Sequence, residues 1–329
     1  MRHPLFALAI VAVAATGFAL AADPPLRPAP DEEAWNLLPK KNPPLPAWAK
    51  VLVTPLPKTT GAMLDLDRIH RAENPLGAVL AAKLRWVAAD ALGCEYARRA
   101  AEADLRRAKL TEAEVDEFVL ETRPPTEGEK ALFKFARKVT KAAYTLTDAE
   151  FAAVLKVYGP ELTCAAVHTV AFANFQCRIV MALGVAPESA GGVPPLPIPL
   201  DPVLRAKVVA PPRPDWAGLA DAKQPRVSVR FHWAEDDDES PDVFAAVDRQ
   251  KERKSRIPLP GKERFAHLPP PAKAQAEAIA WMTVSAGYQP KMTDAWFAAL
   301  RAFQSEARLD RVFSNSLFWV VTRTNECFY

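Results

Sequence analysis

The sequence predicts an all-α protein whose main part is a helical bundle, and three observations support this prediction. Apolar residues recur at helical spacing from Leu76 to Lys109, three segments begin with a Thr-x-x-Glu pattern, and no convincing strand pattern interrupts the region between residues 60 and 185. About five or six helices with short connections then fill that region, which is typical of a bundle.

The first residues have the composition of a secretory signal. A basic start at Arg2 is followed by an apolar run from Leu5 to Ala15 and by a small-residue site that ends at Ala21. We therefore predict a signal peptide over residues 1–22, export to the periplasm or the extracellular space, and a mature chain without a stable membrane span. If the segment stays uncleaved it anchors the chain to the membrane, although its apolar run is shorter than the about 20 residues of a span.

Proline-rich stretches divide the rest of the chain. We predict an extended segment over 23–60, a helical domain over 61–187, a linker over 188–225 and a partial second helical domain over 226–329. In the last of these, one short strand is predicted from Val227 to Trp233. The acidic segment from Glu235 to Glu239 is a flexible loop or a weak attractor of cations.

Turn and capping signals mark the helices of the first domain. Gly93 is expected to kink or break the helical run just before Cys94, and Gly159-Pro160 is expected to end a helix. Capping boxes are predicted at three pairs: Thr111 with Glu114, Thr126 with Glu129, and Thr147 with Glu150. The second region resumes helical patterning over 271–288, 293–307 and 310–329.

Charge and cysteine content exclude several classes of protein. The formal net charge of +3 falls to near neutrality once Arg2 is removed, so we predict no nucleic-acid partner. Four cysteines, at positions 94, 164, 177 and 327, are too few for a disulfide-built scaffold. Cys164 and Cys177 share one predicted helix and lie about 19 Å apart along its axis, which excludes a bridge between them. No cysteines or histidines have ligand spacing, so neither a metal nor a cofactor is predicted.

A pattern of aromatic, aliphatic and cysteine residues occurs twice. The first copy consists of Leu84, Trp86, Val87, Cys94 and Tyr96. The second consists of Leu317, Trp319, Val320, Cys327 and Tyr329. The repeat indicates that the second region resembles the front half of the first domain.

Three segments carry a resemblance to a known family: LRWVAADALGCEYARRAAEADLRRAKLTEAEV, ALFKFARKVTKAAYTLTDAEFAAVLKVYG and HTVAFANFQCRIVMALGV. Their order, spacing and helical character are similar to the carboxymuconolactone decarboxylase superfamily, in its alkylhydroperoxidase-D-like branch. The resemblance covers about residues 65–185. It implies an all-α bundle of that type, followed by a partial second copy, and an antioxidant oxidoreductase with peroxiredoxin activity.

Active members of that branch carry a CxxC pair, a histidine four residues after the second cysteine and a glutamate twelve residues before the first. A thiolate attacks the peroxide, and the second sulfur condenses with the resulting sulfenic acid. Carried onto this sequence, Cys94 matches the first cysteine, whereas the other three places hold Ala97, Ala101 and Ala82. In the second copy, Cys327 follows Asn315 at the glutamate place.

Three hypotheses about function remain open at the level of sequence. In the first, Cys94 reduces a peroxide and an external thiol recycles it; Arg98 and the helix N-terminus lower its pKa, while His168 replaces the missing imidazole. Cys327 is a further candidate in the second copy. Nearby acids that could take part are Asp90, Glu95 and Glu102.

The other two hypotheses assign no catalytic reaction to the first copy of the pattern. In the second, a degenerate bundle serves as a binding or assembly module, with Cys94 packed beneath Trp86 and Tyr96. In the third, the chain is a fragment of a longer two-repeat protein whose second CxxC lies beyond residue 329. Apolar faces around Trp296, Phe297, Phe303, Leu317 and Trp319 then need a partner in the first domain or another subunit.

Two further expectations follow from the resemblance. A lactone decarboxylase is the alternative activity within the family, although its acid and base cannot be placed on this sequence. The resemblance also implies assembly, as a homo-oligomer or as a pseudo-dimer of the two repeats within one chain.

Overall fold

A computed structural model describes residues 27–38, 43–188, 192–196, 254–266, 273, 280–307 and 309–324. These residues form eleven α-helices and no strand, which confirms the predicted all-α class. The helices are α1 (Asp31–Leu37), α2 (Ala47–Leu52), α3 (Pro57–Ala72), α4 (Ala78–Ala91), α5 (Glu95–Arg107), α6 (Glu112–Val119), α7 (Glu127–Ala142), α8 (Asp148–Ala182), α9 (Ala280–Tyr288), α10 (Pro290–Ala307) and α11 (Arg311–Thr324).

The predicted extended segment over 23–60 is partly helical in its described part, which corrects the expectation. Pro30 and Pro46 stand at the N-caps of α1 and α2. A proline at a helix start loses nothing, because the first amides of a helix have no intrahelical partner. Trp35 and Trp48 are buried, so these short helices contribute side chains to the hydrophobic core.

The junction between α4 and α5 has a defined geometry. Gly93 adopts a left-handed φ of 67°, its amide donates to the Asp90 carbonyl at 3.0 Å, and the Cys94 amide donates to the Ala89 carbonyl at 2.9 Å. This pair of bonds is a Schellman motif, which ends α4. Cys94 is also the N-cap of α5, so the predicted break at Gly93 is confirmed and Cys94 stands at the start of a new helix.

The three predicted capping boxes are all present. In each, the threonine hydroxyl accepts the amide of the glutamate three residues on, at 3.3 Å for Glu114, 3.2 Å for Glu129 and 3.3 Å for Glu150. Each glutamate carboxylate in turn accepts a hydrogen bond from the backbone amide of its threonine. They fix the starts of α6, α7 and α8.

The long helix α8 is broken near its middle. Gly159 has φ 69° and ψ 175°, and Pro160 follows it, so the helix ends and restarts there as predicted. Helix α8 packs against α4, α5 and α7. Its buried residues contribute to two hydrophobic clusters: one contains Cys177 with residues of α3, and the other contains Cys164 with residues of α4 and α7.

Helices of the second region pack onto the first. Helix α10 lies along α3, with Met292, Ala295 and Ala299 buried in the shared cluster. Glu306 at the end of α10 accepts the backbone amides of Lys58 and Thr59, both at 2.7 Å. This carboxylate therefore caps the start of α3, which has no side-chain cap from its own neighbours in sequence.

Several sequence predictions lie outside the described residues. They concern the signal peptide over 1–22, most of the linker, the strand from Val227 to Trp233, the acidic segment from Glu235 to Glu239 and Cys327. Among the helices that are described, none combines the length and apolar character that crossing a membrane requires.

Candidate functional site

Cys94 lies at the N-terminus of α5 and is enclosed by the core. Its exposed fraction is 1%, and it belongs to the same hydrophobic cluster as Tyr96, Ala97 and Phe172. Trp86 belongs to a different cluster: it packs edge-on against Phe118 and its indole donates to Glu102 at 3.0 Å. The expectation that Cys94 packs beneath Trp86 is therefore wrong, because α4 turns that ring toward α6.

Cys94 is paired with a second thiol that comes from α8. Cys177 belongs to the same hydrophobic cluster as Cys94, the two thiols influence each other's pKa, and both cysteines are free. Cys177 is fully buried. Two helices distant in sequence thus bring two thiols together. In the family that the sequence resembles, a CxxC pair does so within one helical turn.

The pairing makes the two thiols chemically different. The hydrogen bond from Cys177 lowers the pKa of Cys94 to about 7 against the opposing effect of burial, with further help from the Ala97 backbone amide and the Arg98 guanidinium. The hydrogen bond and burial raise the pKa of Cys177 well above the usual range of a thiol. At neutral pH, Cys94 is therefore the more acidic thiol of the two and Cys177 keeps its proton.

Arg98 takes the position expected for it, one turn along α5 from Cys94. It is half-exposed, and its guanidinium lies 3.3 Å from the Asp90 carboxylate. Its charge contributes to the lowered pKa of Cys94, although less than the Cys177 hydrogen bond does. The acid Glu95 pairs instead with Arg99 at 2.5 Å, on the exposed face of α5.

His168 is half-buried on α8, and the structure does not bring it to Cys94. It lies nine positions before Cys177 on α8, or about 13 Å along the helix axis. Burial lowers the pKa of His168 to about 4, so the ring is neutral at pH 7. Its electrostatic neighbour is His70 of α3, a buried ring stacked on Phe172 with centroids 4.3 Å apart.

A buried ionic cluster holds α3, α4 and α5 together. Asp104 accepts from Arg71 at 2.7 and 2.9 Å, from Arg85 at 2.6 Å and from Arg107 at 2.5 Å. Burial alone would raise the pKa of Asp104, but Arg85 and Arg71 outweigh it and hold the pKa well below its usual range. The cluster fixes the orientation of α5 and hence of its N-terminal cysteine.

Other cysteines differ from this pair. Cys164 donates to the Val284 carbonyl of α9 at 3.8 Å, and burial raises its pKa to about 12. It is therefore a packing residue with little thiolate at neutral pH. Cys327 lies outside the described residues.

The role of Cys177 is the feature that sequence reasoning missed. On the sequence alone, Cys164 is the cysteine that shares a helix with Cys177, and helix geometry excludes a bridge between them. A partner 83 positions away from Cys94 has no local spacing signal. The available hint was that the chain has one more cysteine on its closing helix, on a face that the helical period places in the core.

No family model matches the chain, and no curated protein matches it. A solved structure of an uncharacterized peroxidase-related protein from Silicibacter sp. TM1040 is similar to it, with 18% sequence identity and a TM-score of 0.44. The similarity covers 52% of this chain and 93% of that one. Within the described ranges, no group of three histidine, cysteine or acidic residues could hold a metal ion.

Proposed function

We propose that this protein is a thiol-dependent peroxide reductase in which Cys94 is the attacking thiol and Cys177 the resolving one. The observation that carries the proposal is that two buried free cysteines from different helices share one hydrophobic cluster, and their opposite pKa shifts support it. The sequence resemblance to the alkylhydroperoxidase-D-like branch supports the same chemistry. His168 is not assigned a role, because it lies more than two helical turns from Cys177 along α8.

The reaction balances with two thiols and one peroxide. The Cys94 thiolate attacks one peroxide oxygen, the O–O bond breaks, and the leaving hydroxide takes a proton to become water. The Cys177 sulfur then displaces the hydroxyl of the Cys94 sulfenic acid, which forms a disulfide and a second water. An external dithiol returns the two electrons by thiol–disulfide exchange.

Enclosure of the site selects for a small substrate. The exposed fractions of Cys94 and Cys177 are 1% and 0%, and aromatic and aliphatic side chains surround them. Hydrogen peroxide can reach such a sulfur through small fluctuations, whereas a bulky organic hydroperoxide requires helices to separate. We expect turnover of hydrogen peroxide to exceed that of cumene hydroperoxide.

The proposal is tested by following hydrogen peroxide consumption with dithiothreitol as reductant. Cys94→Ser is expected to abolish activity, and Cys177→Ser to leave a Cys94 sulfenic acid that dimedone captures. Cys164→Ser is the matched control, because Cys164 is equally buried but contacts neither sulfur of the pair. A wild-type protein without activity would sink the proposal.

The reactivity of Cys94 should depend on pH in a specific way. Since its pKa is lowered to about 7, the rate of alkylation by a small reagent rises as pH increases through 7 and levels off above it. In Cys177→Ala the midpoint is expected to move to higher pH, because this substitution removes the neighbouring thiol that lowers the pKa of Cys94. A midpoint near 9 in the wild type would contradict the assigned hydrogen bond.

A non-catalytic binding or assembly module is the second candidate. It is favoured by Ala82 and Ala101, which are fully buried at places where the resembling family carries a glutamate and a histidine. We also propose export with removal of residues 1–22, as well as self-association. Amino-terminal sequencing of the secreted protein and sedimentation of the purified chain test these two points.

A further inference from the structure

A groove unrelated to the thiol pair lies between α4, α6 and α7. Its volume is about 640 Å³, within the range of about 300–1,000 Å³ that small-molecule sites occupy. One wall is the connection from α6 to α7, which contains Pro124 and Pro125. Because proline fixes φ, this wall keeps its shape without a ligand.

Three aromatic rings form the base of the groove. Phe118 of α6 packs edge-on against Trp86 of α4, with centroids 5.2 Å apart, and against Phe133 of α7 at 5.8 Å. Trp86 and Phe133 are buried, whereas Phe118 is half-exposed. The base is therefore an apolar surface on which the half-exposed ring of Phe118 can contact a ligand, with the Lys83 ammonium 5.4 Å from the ring centroid.

The sides of the groove carry more cations than anions. Its five cationic side chains are Lys83, Arg123, Lys130, Lys134 and Arg137. Its three carboxylates are Glu114, Glu121 and Glu129.

Each of the carboxylates already has partners. Glu114 and Glu129 are held in their capping boxes, and Glu129 also accepts from Lys83 at 2.7 Å. Glu121 accepts from Arg137 at 2.5 Å. By contrast, the guanidinium of Arg123 has no ion pair within 4.0 Å in the part of the chain that the structure describes.

We propose that this groove binds an amphipathic organic anion, with its acyl or aromatic part on the ring of Phe118 and its carboxylate or sulfonate on Arg123. A single arginine without an ion pair matches one anionic group rather than a polyphosphate. Lys130 and Lys134 pair with Glu127 and Glu150 outside the lining, so the charge that disfavours a cationic ligand is that of Arg123. This site does not depend on the peroxide chemistry of Cys94, and either proposal can fail alone.

Binding is tested with decanoate as the probe, by isothermal titration calorimetry on the full chain. We expect one site per chain and about a tenfold loss of affinity in Arg123→Gln, with recovery in Arg123→Lys. Phe118→Leu keeps the position apolar and is expected to weaken binding by a smaller factor. The matched control is Arg106→Gln, an exposed arginine on α5 that pairs with Glu112 outside the groove.

The exposed apolar face of α11 is the competing place for the probe. Phe318→Glu should leave decanoate affinity unchanged if the groove is the site, since Phe318 lies on α11. Absence of binding, equal affinity in the wild type and Arg123→Gln, or loss of binding in Phe318→Glu would each overturn the proposal. Circular dichroism melting curves confirm that each variant is folded before its affinity is compared.

Discussion

Helices α4 and α11 carry the same sequence pattern and have opposite environments. Leu84 and Trp86 of α4 have exposed fractions of 0% and 5%. Their counterparts in α11, Leu317 and Trp319, have exposed fractions of 49% and 54%. Helix α4 packs against α5, α7 and α8, whereas α11 has no comparable helix packing within the described residues. An apolar pattern thus specifies which face can be buried, and the neighbouring helices decide whether it is.

Asp104 of the first region lies in a buried ionic cluster, whereas Asp310 before α11 is exposed. Asp104→Asn is therefore expected to cause the largest loss of unfolding free energy. This change leaves the buried guanidinium groups of Arg71 and Arg85 without their shared carboxylate, which costs about 3–5 kcal/mol of unfolding free energy. The control is Asp310→Asn before α11, where an asparagine can still accept the amides of Val312 and Phe313. Urea unfolding measures both, and equal losses would break the comparison.

Acid should destabilise the protein partly through the same carboxylate. The pKa of Asp104 is held below its unfolded value of about 3.9, so its stabilisation is complete above that pH and declines as pH falls below it. The Asp104→Asn variant has already lost this contribution. Its unfolding free energy should therefore fall less steeply between about pH 4 and pH 2 than that of the wild type. A parallel decline in both proteins would rule out this origin.

Truncating one leucine in each helix tests the comparison directly. Leu84→Ala removes a fully buried side chain and is expected to cost about 2–5 kcal/mol. Leu317→Ala, at the matched position of α11, should change the unfolding free energy by less than about 0.5 kcal/mol. A large loss for Leu317→Ala would show that α11 is packed in solution, against another subunit or another part of the chain.

Glu306→Gln measures how strongly the second region holds the first. The substitution keeps an acceptor near the Lys58 and Thr59 amides but removes its charge, for an expected loss of about 1 kcal/mol. Thermal unfolding followed by circular dichroism gives the difference. Glu263→Gln is a suitable control, because Glu263 lies in the described second region away from α3.

The smallest effect on stability is expected for Phe318→Glu. Phe318 has an exposed fraction of 69%, so replacing it should change the unfolding free energy by less than about 0.5 kcal/mol. The same change should weaken self-association if the apolar face of α11 mediates it. Sedimentation velocity separates the two effects, and an unchanged association state would exclude this face as the contact.

Local signals in the sequence were enough to predict much of the first domain. The helix starts at Thr111, Thr126 and Thr147 depend on residues three positions apart, and the breaks at Gly93 and Gly159 depend on backbone freedom. Contacts between distant positions could not be predicted in this way. The sulfur pair, the Asp104 cluster and the Glu306 cap all depend on which helix faces meet, which a single sequence does not encode at short range.

The candidate site was predicted only in part. The sequence places Cys94 and Arg98 at the start of one helix, and Arg98 contributes to the lowered pKa of Cys94. His168 was proposed as a substitute imidazole because it lies on the closing helix, but the axial rise of α8 puts it away from the sulfurs. The residue that completes the pair, Cys177, is brought there by the packing of α8 against α5, which no local sequence pattern indicates.

The cap that Glu306 provides to α3 has a consequence for the order of synthesis. Glu306 lies 248 positions after Lys58 and 247 positions after Thr59, so the ribosome synthesises the two α3 residues first. At about 5–20 residues per second on a ribosome, the amides of α3 wait about 12–50 seconds for that carboxylate. During this interval the first domain can collapse while the start of α3 stays hydrated, and docking of α10 is then a late step of folding.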